Sequence, residues 1–151
     1  MSATKPQPSV IHLVERIAAM LAAVACLVIT IVIWRNVSAY QPMWPLPGVY
    51  FVELPAVSLA AALGWNLGLS WARPVTWAAL GIVLAFSILG AFSVGMLYFP
   101  VAALLAVASI ASDLRAGQRI APHVGICLAA AVAQAALMLL AVRWLHPTAI
   151  F

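Results

Sequence analysis

Three polar side chains lie inside long apolar runs of this sequence and are the residues best placed to do chemistry within a membrane. Glu53 is the only acid embedded in such a run, and Asn66 and Gln134 are amides within two others. An ionisable group at membrane depth is a functional candidate by default, because burying it unpaired is costly. Glu53 would carry protons or bind a cation, and the two amides would line a polar path.

A structural explanation competes with each of these roles. Pro55 suggests that Glu53 lies in the first turn of a helix, where the macrodipole favours a negative charge. Arg35 or Arg143 on the same side would then pair with it. The two amides would form ordinary hydrogen bonds between helices, worth about 0.6 to 2 kcal/mol each. We expect these structural roles and keep an intramembrane polar site at the three residues as the alternative.

Other residue types that do chemistry are few and dispersed. They comprise the other two acids, Glu15 and Asp113, and the following His and Cys residues: His12, His123, His146, Cys26 and Cys127. A haem or metal site needs ligands that face each other within the bundle, which requires the first and last spans to be neighbours. No HExxH, GxSxG or Walker pattern occurs in the sequence. We therefore predict no catalytic residue, no cofactor, no bound metal and two inert buried thiols.

The composition indicates that these residues belong to a membrane protein. The chain is 67% hydrophobic and 7% charged, and its formal net charge of +4 comes from scattered Lys and Arg that do not suit nucleic acid. From Val75 to Ser112 no side chain is charged. A single helix over that run would be about 57 Å long, against a hydrocarbon core of about 30 Å. The run predicts two short helices folded back on each other.

These patterns predict an all-α transmembrane bundle that forms a single domain. The expected spans are 17–34, 50–69, 75–91, 97–112 and 122–142, with the third and fourth forming the short hairpin. A polar arm containing Glu15 and Arg16 precedes the first span, and the proline-rich loop 35–48 is extracytoplasmic. We expect the first span to be an anchor, and the small residues 37–39 leave a cleaved signal peptide as the alternative.

Turn residues mark the connections between the predicted spans. Pro74, Pro100 and Pro122 are expected in the first turns of the last three helices, where the missing N–H is unpaired anyway. Gly90 and Gly95 bracket the reversal of the hairpin. The segment with Asp113, Arg115, Gly117 and Arg119 is expected to be a polar connection.

Basic residues and aromatic rings set the expected orientation. A cytoplasmic N-terminus places five basic residues inside, against Arg35 and Arg143 outside, in agreement with the positive-inside rule. The five are Lys5, Arg16, Arg73, Arg115 and Arg119. Tyr40, Trp44 and Trp144 would then lie near the outer boundary. The expected location is the bacterial cytoplasmic membrane.

Small residues recur at a spacing of four, which lets helix backbones approach closely in lipid. The candidate packing residues are Gly64 with Gly68, Gly81 with Ala85, and Ala129 with Ala133. We expect packing inside the bundle first and contact with another subunit second.

The segment from Gly90 to Pro100, with Phe92, Ser93 and Gly95 before the proline, resembles a hairpin of small uncharacterised bacterial multi-pass membrane proteins. In those proteins a Gly-Phe-Ser-x-Gly turn precedes a Pro that starts the returning helix. Glu53-Leu54-Pro55 is similar to the span before it. The resemblance runs from about Val49 to Ser112, and it implies a bacterial multi-pass protein without implying an activity.

Two functions of different classes are consistent with these observations. The expected function is a non-catalytic accessory or assembly subunit, whose partners are the lipid bilayer and other membrane subunits or a second copy. The alternative is a small oligomeric transporter or channel for an ion or small solute. Scarcity of polar groups in the spans favours the first function.

Overall fold

The structure, a computed structural model, describes residues 10–40, 48–91 and 93–145, and these residues fold into five α-helices without any strand. The helices are α1 Val10–Val37, α2 Gly48–Asn66, α3 Ala72–Leu89, α4 Phe99–Ala116 and α5 Ile120–Leu145. A short 3-10 turn, Gly95–Tyr98, leads directly into α4. All five are long and apolar enough to cross a membrane, α4 together with its 3-10 turn. The predicted all-α bundle of membrane-spanning helices is confirmed.

Four helices form a closed ring, and the fifth flanks it. Helix α1 packs against α2 and α4, and α3 packs against α2 and α4 on the opposite side. Helix α5 packs on the outer face of α3. Consecutive helices are antiparallel, so the N-terminus of α1 lies at the same end as the C-termini of α2 and α4 and the N-termini of α3 and α5.

The ring closes tightly because α1 presents small side chains to its neighbours. Ala19, Ala22 and Cys26 are fully buried and follow one another at helical spacing. Larger side chains from the other helices, such as Leu54, Val83 and Leu105, fill the space beside them. In lipid, where apolar area gives no drive to associate, this close approach supplies the van der Waals contact that holds helices together.

Aromatic side chains fill the interior of the four helices α1 to α4 at the end away from the N-terminus of α1. Phe86 lies edge-on to Tyr98, with ring centroids 5.3 Å apart, and it also contacts Tyr50 and Phe51. The hydroxyls of Tyr98 and Thr30 share a buried hydrogen bond of 2.8 Å. This aromatic cluster closes the interior at that end.

The first and fourth helices extend further than predicted at one end. Helix α1 begins at Val10, so Glu15 and Arg16 lie inside the helix instead of in a polar arm. Helix α4 continues past Ser112 to Ala116, so Asp113 and Arg115 are helical, and Gly117 and Arg119 remain in the connection. Glu15, Asp113 and Arg115 can lie within these helices because each is paired inside the protein.

Helix α2 also differs from its predicted span. It ends at Asn66, and Gly68 follows in the turn with φ of 66°, a conformation that favours glycine. Pro55 lies two turns into α2, not in its first turn, so Glu53 is also further from the helix start than expected. Loop 35–48 is helical to Val37, continues as a turn to Tyr40, and then leaves the described residues until Gly48.

The glycine and proline signals for the other turns are confirmed. The amide of Gly95 donates to the carbonyl of Gly90 at 2.8 Å, and a Cβ on Gly95 would lie 2.5 Å from the carbonyl carbon of Gly90. Gly117 ends α4 in the left-handed region. Pro74, Pro100 and Pro122 all lie in the first turns of their helices. Helix α3, at 18 residues, is about 27 Å long and nearly spans the hydrocarbon core.

Candidate functional site at the charged end of the bundle

A buried ion pair joins the first and fourth helices at the end that contains the N-terminus of α1. The Glu15 side chain is fully buried, and Arg115 donates to its two oxygens from Nε at 2.9 Å and from Nη2 at 3.2 Å. The guanidinium also lies over the ring of Trp65, 5.9 Å from its centroid. A two-pronged pair of this kind has the geometry of a strong charge-assisted interaction. We call this end, with Glu15, Arg73, Asp113 and Arg115, the charged end.

A second buried carboxylate lies close to the first ion pair on α4. Asp113 is fully buried, with Oδ1 3.5 Å from Nε of Arg73 and Oδ2 3.1 Å from Nδ1 of His123. The His123 ring stacks on Trp77 with an interplanar angle of 11°. Arg73 also donates from Nη1 to the Gln118 side chain at 2.9 Å. Asp113 therefore links α4 to the starts of both α3 and α5.

A hydrogen-bond chain braces the adjoining ends of α2 and α3. The indole N–H of Trp65 donates to the Thr76 hydroxyl at 2.9 Å, and that hydroxyl donates to the carbonyl of Ala72 at 2.7 Å. All three residues are buried. The chain fixes the plane of the Trp65 ring under the Arg115 guanidinium.

A cavity of about 370 Å³ opens beside these pairs at the charged end. It is lined by His12, Trp65, Gly68, Leu69, Ser70, Arg73 and Arg115. Two of the lining side chains are guanidinium groups and none is an acid. The arrangement presents positive charge and N–H donors, which suits the binding of an anion.

The structure brings together two of the three predicted intramembrane polar residues. Gln134 on α5 donates from Nε2 to Oε2 of Glu53 on α2 at 2.9 Å. The Glu53 carboxylate thus accepts a hydrogen bond from an amide. The expected partner was Arg35 or Arg143. Asn66 lies at the other end of α2 and donates to the carbonyl of Ala62, so it does not join them.

The predicted packing residues separate into buried and exposed positions. Gly81 lies at a close approach of α3 and α5, since a Cβ there would overlap the Cys127 carbonyl oxygen. Ala85 is buried, and Gly64 lies against Trp71 and Ala72 at the α2 to α3 turn. Gly68 lies in that turn with open space around it, so it is a turn residue and not a packing one.

Ala129 and Ala133 lie on the exposed face of α5, away from the bundle. Packing inside the bundle, the first expectation for these two residues, does not fit that position. Contact with another subunit stays a prediction.

Among the described residues, the His and Cys side chains do not converge on a metal site. His12 lines the cavity, His123 pairs with Asp113, and His146 lies outside the described residues. Within ranges 10–40, 48–91 and 93–145, no three His, Cys, Asp or Glu side chains are placed to hold a metal ion together. Cys26 and Cys127 are both buried free thiols, as predicted.

The chain matches no family model, no curated protein and no solved structure. Its function must therefore be inferred from the geometry of the molecule itself.

In the sequence, the charged residues of the ion pairs indicate only the orientation of the membrane spans. The pattern of residues does not predict that these side chains are buried. A local signal was present for Glu15, because Ala18, Ala19, Ala22 and Cys26 continue its helical face as a row of small residues. For Asp113 the signal was Ser109 and Leu105, which place it on the inward face of α4. In both cases the helical register indicated the side of the helix, but not the residue that would neutralise the charge.

Proposed function

We propose that the protein is a non-catalytic accessory or assembly subunit that packs within a larger membrane complex, in the bacterial cytoplasmic membrane with its N-terminus in the cytoplasm. One observation supports this proposal above the others. Helix α5 packs on α3 and leaves a long apolar face uncovered, and that face contains a row of small residues.

The row consists of Gly125, Ala129 and Ala133, spaced by four and all exposed. A Cβ added at Gly125 would meet nothing within 4 Å. Large apolar side chains border the row, including Leu128, Val132 and Leu140. A shallow strip between larger side chains is the surface against which a second membrane helix can pack closely. Helix α5 uses a different face, with Cys127 and Ala131, for its contact with α3.

The polar groups within the spans support an accessory role over a conduction path. Thr30 bonds to Tyr98, Ser87 to the carbonyl of Val83, and Glu53 to Gln134. These are three separate contacts and not one continuous chain of hydrogen bonds. A path for polar solutes needs several such groups along one line.

The experiment is site-specific photo-crosslinking in native membranes. A photoreactive residue at Val132 on α5 should give one protein adduct of defined mass, whereas the same residue at Val24, on the exposed face of α1, should react with lipid. The paired change Ala129→Leu with Ala133→Leu should abolish the adduct by filling the strip. Ala103→Leu, an exposed alanine of α4, is the matched control and should not.

Two outcomes would reject packing of this face against a different subunit. Lipid adducts at both positions would indicate a self-contained protein. An adduct with the mass of two copies of this chain would indicate a homo-oligomer.

The second candidate function is a small oligomeric transporter or channel, and the contact between Glu53 and Gln134 favours it. Glu53 is only partly buried, so its carboxylate at the α2 and α5 contact is within reach of an ion or proton. In proteoliposomes, Glu53→Gln should reduce a proton- or cation-dependent flux. An equal flux from both proteins would remove Glu53 from any transport role.

A further inference from the structure

The cavity at the charged end has the composition of an anion-binding site. Arg73 and Arg115 approach it from α3 and α4, and His12 from α1, and the lining includes no Asp or Glu. Its volume of about 370 Å³ falls within the roughly 300–1,000 Å³ of small-molecule sites.

Both guanidinium groups are held in place from behind by buried acids. Glu15 accepts hydrogen bonds from Nε and Nη2 of Arg115. Oδ1 of Asp113 lies 3.5 Å from Nε of Arg73 as an ion pair without a hydrogen bond, and the Gln118 side chain accepts from Nη1 of Arg73. An arginine has five N–H donors, so each retains some for a ligand. Nη1 of Arg115 and Nη2 of Arg73 form no hydrogen bond with the described part of the chain, and the two side chains are 34% and 20% exposed. Preorganised arginines of this kind lose less entropy on binding.

The local charge is positive despite the two acids. Arg16, Arg73, Arg115 and Arg119 surround the charged end, against Glu15 and Asp113. The α3 helix starts beside the cavity and the α2 helix ends there, so their dipole ends oppose each other and the positive field comes from the arginines. The two acids are fully buried behind the arginines, so a ligand in the cavity meets the cations first.

We propose that this cavity binds a phosphoryl group, supplied either by the headgroup of an anionic phospholipid or by a free phosphate monoester. A phosphoryl group has oxygens pointing in several directions, so that forks from two different helices can bind it at once. A carboxylate, with two oxygens in one plane, suits a single fork. The cavity lies at the helix ends, which is the depth of lipid phosphates in a bilayer.

The test measures two probes on the full-length protein in phosphatidylcholine nanodiscs. One is short-chain phosphatidic acid, followed by native mass spectrometry, and the other is glycerol 3-phosphate, followed by calorimetry. Saturable binding of either probe is expected, and it should weaken about tenfold in Arg73→Gln, which removes one charged fork. Arg119→Gln, which removes the same charge at the same end but outside the cavity, should change the Kd less than about twofold.

A second variant distinguishes a loss of binding from misfolding. Glu15→Gln with Arg115→Gln removes the buried pair together, leaves no unpaired charge, and should weaken binding by a similar factor. Binding of phosphatidic acid alone assigns the lipid source, and binding of glycerol 3-phosphate assigns the soluble one. The proposal is overturned if neither probe binds, if Arg119→Gln weakens binding as much as Arg73→Gln, or if acetate competes as well as phosphate.

Discussion

At the scale of single residues, stability at the charged end depends on Glu15 having its arginine. The carboxylate is fully buried, and Arg115 alone supplies its hydrogen bonds within the described residues. Arg115→Gln leaves a buried, uncompensated charge, and it should lower the free energy of unfolding by about 3 kcal/mol. The measurement is unfolding in a graded series of SDS in mixed micelles.

The same pair provides its own control. Glu15→Gln together with Arg115→Gln should cost about 1 kcal/mol or less, because no charge remains to be buried. Glu15→Gln alone should be intermediate, since the Arg115 side chain is 34% exposed and can turn to solvent. If Arg115→Gln were no more destabilising than the double variant, the pair would have no structural role.

At the scale of helices, the attachment of α5 depends on Gly81. A Cβ at this position would overlap the carbonyl oxygen of Cys127, which is backbone and cannot move aside alone. Gly81→Ala should therefore push α5 away from α3 and destabilise the fold by about 1–3 kcal/mol, the typical cost of overpacking. The Cys127 thiol, which is buried at this contact in the native protein, should react with maleimide several-fold faster.

Two internal references make the α5 experiment specific. Cys26 is buried inside the four-helix ring, so its labelling should stay slow. Gly125→Ala adds the same methyl group on the open side of α5 and should leave both the labelling and the stability unchanged. Equal labelling of both cysteines in Gly81→Ala would mean global loosening instead of release of α5.

The helices, the turns and the ion pairs differ in how well the sequence predicts them. Helix number, the hairpin and its turns depend on local features, namely apolar runs of membrane length interrupted by proline and glycine. The ion pairs do not, because Glu15 and Arg115 are 100 residues apart and only packing brings them together. The polar site predicted to include Asn66 does not form around it for the opposite reason. Its side chain is satisfied locally by a hydrogen bond to the carbonyl four residues earlier.

At the scale of the whole molecule, the charge difference between the two ends predicts a single orientation. Arg16, Arg73, Arg115 and Arg119 lie at the charged end, whereas Arg35 and Arg143 lie at the far ends of α1 and α5. Basic residues are retained on the cytoplasmic side, so the charged end and its cavity should face the cytoplasm. A cavity there would meet the anionic leaflet and cytoplasmic phosphate esters.

Matched cysteine variants test this orientation directly. Ala39→Cys and Ala121→Cys place exposed thiols at opposite ends of the bundle, and the native thiols are buried. An impermeant maleimide should label Ala39→Cys on intact cells and Ala121→Cys only after permeabilisation. The reverse pattern would place the cavity outside the cell, and labelling of both variants on intact cells would contradict the antiparallel crossing of the helices that separates the two positions.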